Sequence, residues 1–328
     1  PLGYVEEYAA ELLPAVSSRV EVLTPNEAGR QPLLKKIYET PAGSLQTTVV
    51  KTEDWPHGKD IHLFDDYNLS RLKEPLIKDF HDIQRLKYLL GEPDEEQLKA
   101  YRDRAAFLRD QAGRLGVVLD GGWTALGDAV MWLCGMERVL YGQMDEPDFI
   151  DQVLETVFQW ELRRIDLLIQ EGIQVLVHMA WYESTKFWTP KNYRRMLKPR
   201  LMRFAEKAHQ HGVLFRYIIT SGWKPYWKDL LEIGIDCLTG IDPVQDQINL
   251  GEIKDLLGSQ ICLMGGLNSA VMLSHWTDKK IREAVNQAIR AMAPGGGFIL
   301  YPVDAVFNTQ PWEKVLVMID QWKSTWAA

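Results

Sequence analysis

Beyond Gly116 the chain alternates between two hydrophobic rhythms. Short apolar, β-branched runs that stop at Gly, Ser, Asp or Asn predict strands over residues 117–122, 175–180, 213–219, 235–239, 261–264 and 298–301. Between them, apolar residues recur every three or four positions. The longest such stretch opens on Asp145-Glu146-Pro147-Asp148, an acidic start with proline in the first turn, and carries Ile150, Val153, Leu154, Val157 and Phe158 at helical spacing. Thr189-Pro190 opens another that runs to about Gln210 and stops at Gly212. Shorter helices are predicted over 226–232 and 250–257, from Thr277 to Met292, and after Pro311.

Six βα units in succession call for a parallel sheet. No GxGxxG and no GxxxxGK[ST] loop occurs, which favours a closed (β/α)8 TIM-type barrel over a doubly wound nucleotide-binding sheet. The expected class is therefore α/β, with barrel repeats over 116–328. Residues 1–115 read differently: polar loops around an extended piece at 44–51, then helices over 75–90 and 95–115. This stretch is expected to form an N-terminal extension packed on the barrel, within one structural domain, since no Ser/Pro-rich linker marks a boundary.

Composition narrows the class further. Hydrophobic residues at 46% and charged residues at 25% of 328 describe a globular chain rather than a disordered one. A net charge of −8 argues against nucleic acid or an anionic membrane as partner. No uncharged apolar run approaches the roughly 20 residues that span a bilayer, and no leader pattern opens the sequence, so a cytoplasmic setting is expected. Cys134, Cys237 and Cys262 form an odd set inside apolar segments and read as buried thiols rather than disulfides. Of the twelve Trp, Trp132, Trp160 and Trp322 fall inside helices and read as core filling.

In βα barrels the chemistry sits where strands end. Read in order, those ends give Asp120 and Trp123; His178, Trp181, Tyr182 and Glu183; Arg216, Tyr217, Ser221 and Trp223; then Asp242, Asn268 and Asp304. Three indoles on one rim suit a flat aromatic ligand, with acidic and amide groups to orient it. Glu183 directly follows two aromatics, which suits a proton donor, and Asp304 between Val303 and Ala305 is similar. Plainer readings stand beside these. Asp120 would cap the next helix, Arg216 would form a structural ion pair, and His178 would be a hydrogen-bonded core histidine. Gly295–Gly297 most simply turns a helix into a strand. No GxSxG surrounds Ser221, and HxH, CxxC and HExxH spacings are absent.

The segments TPKNYRRMLKPRLMRFAEKAHQHG, ITSGW, GGLN and APGGGFILYP resemble the uroporphyrinogen decarboxylase superfamily, over a match running from about Tyr38 to the C-terminus. The resemblance implies a (β/α)8 barrel. It implies either porphyrinogen decarboxylation or methyl transfer to and from the cobalt of a partner corrinoid protein. Family members begin with a segment holding the first barrel strand. No clear equivalent precedes Tyr38; a non-native remnant at Pro1-Leu2-Gly3, with a trimmed chain or a distorted barrel, is the open expectation. The Arg-rich N-terminal signature that grips propionates in the decarboxylases has no counterpart here. In the zinc-dependent thiol methyltransferases, zinc is held by His-x-Cys at one strand end and Cys on the last. The matching positions here are Ile219, Ser221 and Asp304, and Ile cannot ligate a metal. Asn268 stands where the family's GGID has aspartate.

What the resemblance then implies is the methyltransferase component of an aryl ether O-demethylation system, acting on a methoxylated aromatic. Its acceptor would be a corrinoid (cobalamin) carried by a partner protein. Glu183, His178, Asp304 and Arg216 are the expected catalytic set. Substrate would be bound by Asp120, Trp123, Trp181, Tyr182, Tyr217, Ser221, Trp223, Asp242 and Asn268. Zinc is not expected at the usual positions; an alternative site from His178, Glu183 and Asp304 stays open, as does a homodimeric state. Two rival functions also stay open: a decarboxylase or lyase of a small aromatic acid with Arg216 on the carboxylate, and a non-catalytic binder that lost the metal site.

Overall fold

The structure, a computed structural model, describes residues 3–5, 16–24 and 31–326. The chain divides into two compact units, residues 1–176 with 191–200, and residues 177–190 with 201–328. The boundary expected at 115/116 thus falls inside the first unit.

In the first unit, β1 (Gly3–Val5) pairs in parallel with β6 (Leu119–Ala125), with Tyr4 opposite Asp120. A parallel strand therefore does precede Tyr38, and it begins at Gly3; Pro1 and Leu2 lie outside the described residues. The expected extended piece is one strand of an antiparallel sheet that the sequence reading missed. Its order is β2 (Ser17–Leu23), β3 (Leu33–Thr40), β4 (Gly43–Val50) and β5 (Leu72–Glu74). Lysines and glutamates along β2 and β3 disguised the alternation there. Gly43, at φ +114°, closes the turn between β3 and β4, and Leu34, Val49, Trp55 and Ile61 form a buried cluster beneath them.

Some helices start and stop on capping residues. The helix Glu95–Leu115 starts in a capping box between Asp94 and Gln97 and ends at left-handed Gly116. Pro147 opens the helix Pro147–Gln170, which buries Ile150, Val153, Leu154, Val157 and Phe158 as the spacing predicts. It also buries Glu161 and Arg164, an ion pair at 2.5 Å. The predicted helix over 75–90 is shorter, Phe80–Leu89, and two helices, Gly127–Cys134 and Met136–Asp145, were not foreseen.

β7 (Val175–Met179) starts in the first unit, where Gln174 N donates to Leu119 O at 2.8 Å, and ends in the second. There Ala180 N donates to Ile218 O at 2.9 Å. The second unit continues with the parallel strands β8 (Leu214–Ile218), β9 (Cys237–Ile241), β10 (Cys262–Asn268) and β11 (Phe298–Val303), each beside the next. Arg216 is in register with Cys237, and Cys237 with Cys262. Gly240, at φ +119°, lets β9 pass β8 closely; a methyl group there would lie 1.8 Å from the Ile219 carbonyl oxygen. The α/β class with parallel strands holds. Trp132 and Trp160 are buried as expected, whereas Trp322 is 39% exposed, because the last helix, Trp312–Trp326, turns Val315 and Met318 inward instead. Among the described residues no helix is long and apolar enough to cross a membrane.

Candidate active site

Parallel strands bury both faces, so successive side chains enter different surroundings. On β8, Phe215 and Tyr217 face one way and Arg216 and Ile218 the other. The first face carries a closed polar cluster. His178 Nε2 lies 3.1 Å from one oxygen of Glu183, and Tyr217 OH donates to the other at 2.7 Å. His178 stacks on Tyr217, with ring centroids 5.4 Å apart, and meets Phe215 and Phe204 of the helix Lys198–His209. His178, Glu183 and Tyr217 are all 0% exposed.

These three residues were assigned to catalysis and substrate binding, and the structure brings them together, but on the helix-covered face of the sheet. A proton donor must touch its substrate. Glu183 is enclosed, and both its oxygens are engaged by the side chains that fix the loop after β7. The plain reading of His178, a hydrogen-bonded core histidine, is the arrangement observed.

The strand-end loops form a second layer. Asp242 is fully buried: one oxygen accepts from Val244 N and Gln245 N at 2.8 and 3.0 Å, and the other from Asn268 Nδ2 at 2.7 Å. Asn268 Oδ1 in turn caps the helix Ser269–His275 through Val271 N. This pair, expected to bind substrate, ties the ends of β9 and β10 together. Asp242→Ala should leave those donors without an acceptor and lower stability by about 2–3 kcal/mol, read as a shifted denaturant midpoint. Asp242→Asn should recover part of the loss, because it keeps one acceptor oxygen.

Ser221 and Gly222 lie in the turn that follows β8. Gly222, at φ +72°, donates its N–H to Asp246 and accepts from Thr185 Oγ1 at 2.8 Å. Beside it the exposed Lys186 donates from Nζ to Ser221 Oγ at 2.9 Å. Lys186 escaped the sequence reading because a lysine in a loop looks like any solvated charge. Trp181 and Tyr182, in the same loop, are half-buried, and the Tyr182 ring packs edge-on against Phe187 at 5.1 Å. Trp223, in contrast, is fully buried and not on a rim, because the chain turns inward after Gly222.

The opposite face of the sheet carries Arg216, half-buried, whose Nε donates to Thr239 Oγ1 at 3.0 Å. Tyr301, on β11, lies in the field of both Arg216 and Asp304; burial raises its phenol above the usual value, and the guanidinium pulls against that. Its hydroxyl donates to Asp304 O at 3.0 Å, and the Asp304 side chain is exposed just past the strand. Arg216, Tyr301 and Asp304 thus share one electrostatic neighbourhood.

Asp120 and Trp123 belong to the first unit. Because β6 runs to Ala125, Asp120 lies near its start rather than its end, and it does not cap the next helix, whose N-cap is Leu126 without a side-chain bond. Trp123 has φ +45°, unusual for a bulky residue. Arg164 donates to Gly122 O at 3.0 Å and Ala125 N donates to Glu161 at 2.9 Å, which fixes the backbone on both sides of it.

The positions matching the family's zinc ligands do not make a metal site. Ile219 is 0% exposed hydrocarbon, Ser221 already accepts an ammonium, and Asp304 is a single carboxylate. Nor do His178 and Glu183 join Asp304 in one: among the described residues no three His, Cys, Asp or Glu side chains are placed to share an ion.

The family pattern described as uroporphyrinogen decarboxylase (URO-D) matches residues 52–325. A protein named uroporphyrinogen decarboxylase from Thioalkalivibrio sulfidiphilus is 24% identical over 71% of this chain, a match that takes in 66% of that relative's length. Its namesake from Alkalilimnicola ehrlichii is 25% identical over 54% of this chain and 47% of its own. The chain thus spans between about half and just under two thirds of these relatives. Among solved structures, a methyltransferase from Methanosarcina mazei shares the fold, with TM-score 0.59 and 18% identity, covering 73% of this chain and 66% of its own.

Proposed function

The chain belongs to the uroporphyrinogen decarboxylase (URO-D) family, and on that premise we propose that it removes a methyl group from a methoxylated aromatic and passes it to a corrinoid carried by a partner protein. The closed (β/α)8 barrel that this family membership implies is part of the same reading. The observation that carries it is the Lys186–Ser221 contact of 2.9 Å. Ser221 stands where the thiol methyltransferases of the family place a zinc ligand, and here an ammonium occupies that neighbourhood instead. Zinc serves to make a thiolate. An ammonium serves to receive a leaving oxygen.

In an aryl methyl ether the carbon–oxygen bond breaks with its electron pair going to oxygen, so negative charge grows on a phenolate. A corrinoid cobalt, when docked, would supply the methyl acceptor. The protein's own part is to hold the ring and meet that charge. Lys186 is solvent-reachable, positioned by Ser221, and able to donate a hydrogen bond or proton to the departing oxygen. The half-buried ring of Trp181 supplies a flat wall, and Arg216 with Asp304 offers charges of both signs for ring substituents. Glu183 and His178 take no direct part; they hold the loop that carries Lys186. The name of the methanogen relative, a methyltransferase, is compatible with this reading.

The curated relatives' names favour a second reading, decarboxylation of an aromatic or porphyrinogen-like acid with Arg216 on the carboxylate. Incubation with a panel of methoxybenzenes and reduced cobalamin as free acceptor separates them. Release of the phenol with methylation of the acceptor is expected. Carbon dioxide released from aromatic acids without methyl transfer would overturn the proposal, and aromatic binding without turnover would make the protein a binder.

A further inference from the structure

Two of the three cysteines lie side by side. Cys237 opens β9 and Cys262 opens β10, and the two are register partners on neighbouring parallel strands. Such partners lie about 4.8 Å apart at Cα, within the range of about 4.4–6.8 Å that a disulfide spans. Alternation along β8 and β9 puts them on the same face as Arg216 and Thr239, and each thiol shifts the acidity of the other. Both are free thiols, neither fully buried. Neither has a role in the proposed methyl transfer.

We infer that Cys237 and Cys262 form a redox-active dithiol, which closes to a cross-strand disulfide when the protein meets a small disulfide such as oxidised glutathione. The two thiols are chemically unequal, as such a pair requires. The neighbouring Cys237 thiol, assisted by Lys254 and Arg216, lowers the Cys262 thiol to about 7, whereas the proximity of Cys262, with burial, raises Cys237 well above the ordinary value. Cys262 is thus the attacking thiolate and Cys237 the resolving thiol. Cys262 sulfur attacks one sulfur of the reagent, a mixed disulfide forms, and the first glutathione leaves as thiolate. Cys237 then gives its proton to solvent and attacks the Cys262 sulfur, and the second glutathione leaves. Two protein thiols are oxidised and one disulfide is reduced to two thiols. Closure also removes the thiolate charge that faces Arg216.

Cys134 is an internal control. It is 1% exposed, and burial pushes its thiol up to about 12. Native protein exposed to a brief pulse of iodoacetamide should carry label on Cys262 at least about tenfold faster than on Cys134. After oxidised glutathione, labelling and digestion should yield a Cys237–Cys262 linked peptide, with Cys134 labelled only on denaturation. Cys237→Ser should stop at a mixed disulfide with glutathione on Cys262, while Cys134→Ser should cross-link as the parent does. Equal labelling of all three, or oxidised protein bearing glutathione on Cys262 with Cys237 still free, would overturn the inference. Neither readout involves methyl transfer, so the result stands apart from the function proposed above.

Discussion

Glu183→Ala should cost about 3–5 kcal/mol of stability and lower the thermal midpoint by roughly 10 °C. The substitution opens a cavity and removes the carboxylate that two fully buried side chains, His178 and Tyr217, both contact. No water reaches them, because the cluster lies between β7, β8 and the aromatic side of the helix Lys198–His209. Glu183→Gln should do less damage, since the amide keeps one acceptor oxygen but sets an NH2 group against the other partner. The measurement is chemical and thermal unfolding of both variants beside the parent. An alanine variant with the parent's midpoint but no turnover would return Glu183 to the role of catalytic acid. A large stability loss, with residual activity in whatever fraction stays folded, identifies it as a structural anchor.

VLVHMA followed by WYES puts a histidine and a glutamate at a strand end, and in a βα fold such residues are often functional. Position along the strand is legible from the turn that follows; face is not. A strand buried on both sides shows no polar alternation, so nothing in LFRYI says whether Arg216 or Tyr217 looks toward the helices. Only the contact of His178 with Phe204 decides it. Element existence was easier. Caps at Asp94, Asn249 and Thr277 fixed helix starts through local hydrogen-bond chemistry, and the proline at 147 did so through its preset φ.

Two features carried signals that could have been read. Cys237-Leu238-Thr239-Gly240 and Cys262-Leu263-Met264-Gly265 share a Cys-Leu-x-Gly pattern, and aligning the two places the thiols in register, as the structure has them. The loop from Trp181 to Trp188 is short enough that, if Thr185 reaches the turn after β8, its neighbour Lys186 must arrive beside Ser221. The charged strands β2 and β3 offered less, because Arg19 and Glu21 on one and the adjacent Lys35 and Lys36 on the other look like a helix surface or a loop until the partner strand is known.

Lys186→Met tests the proposed chemistry most directly. Methionine keeps much of the side chain's length and removes the ammonium, so phenol release from a methoxylated aromatic should fall by about 10²–10⁴-fold, the span usual for losing a positioned proton donor or charge at a leaving oxygen. Because Lys186 is exposed, the unfolding midpoint should hardly move. The defect should also depend on the substrate. A ring bearing electron-withdrawing groups releases a more stable phenolate and needs less help, so the gap between variant and parent should narrow for such ethers. Lys186→Arg should rescue only in part, since a planar guanidinium cannot take the compact contact that the ammonium makes with Ser221. A loss equal for every leaving group would mean that Lys186 binds the ring without meeting the charge. An unchanged rate would remove it from the mechanism and leave Arg216 and Tyr301 as the groups next to be varied.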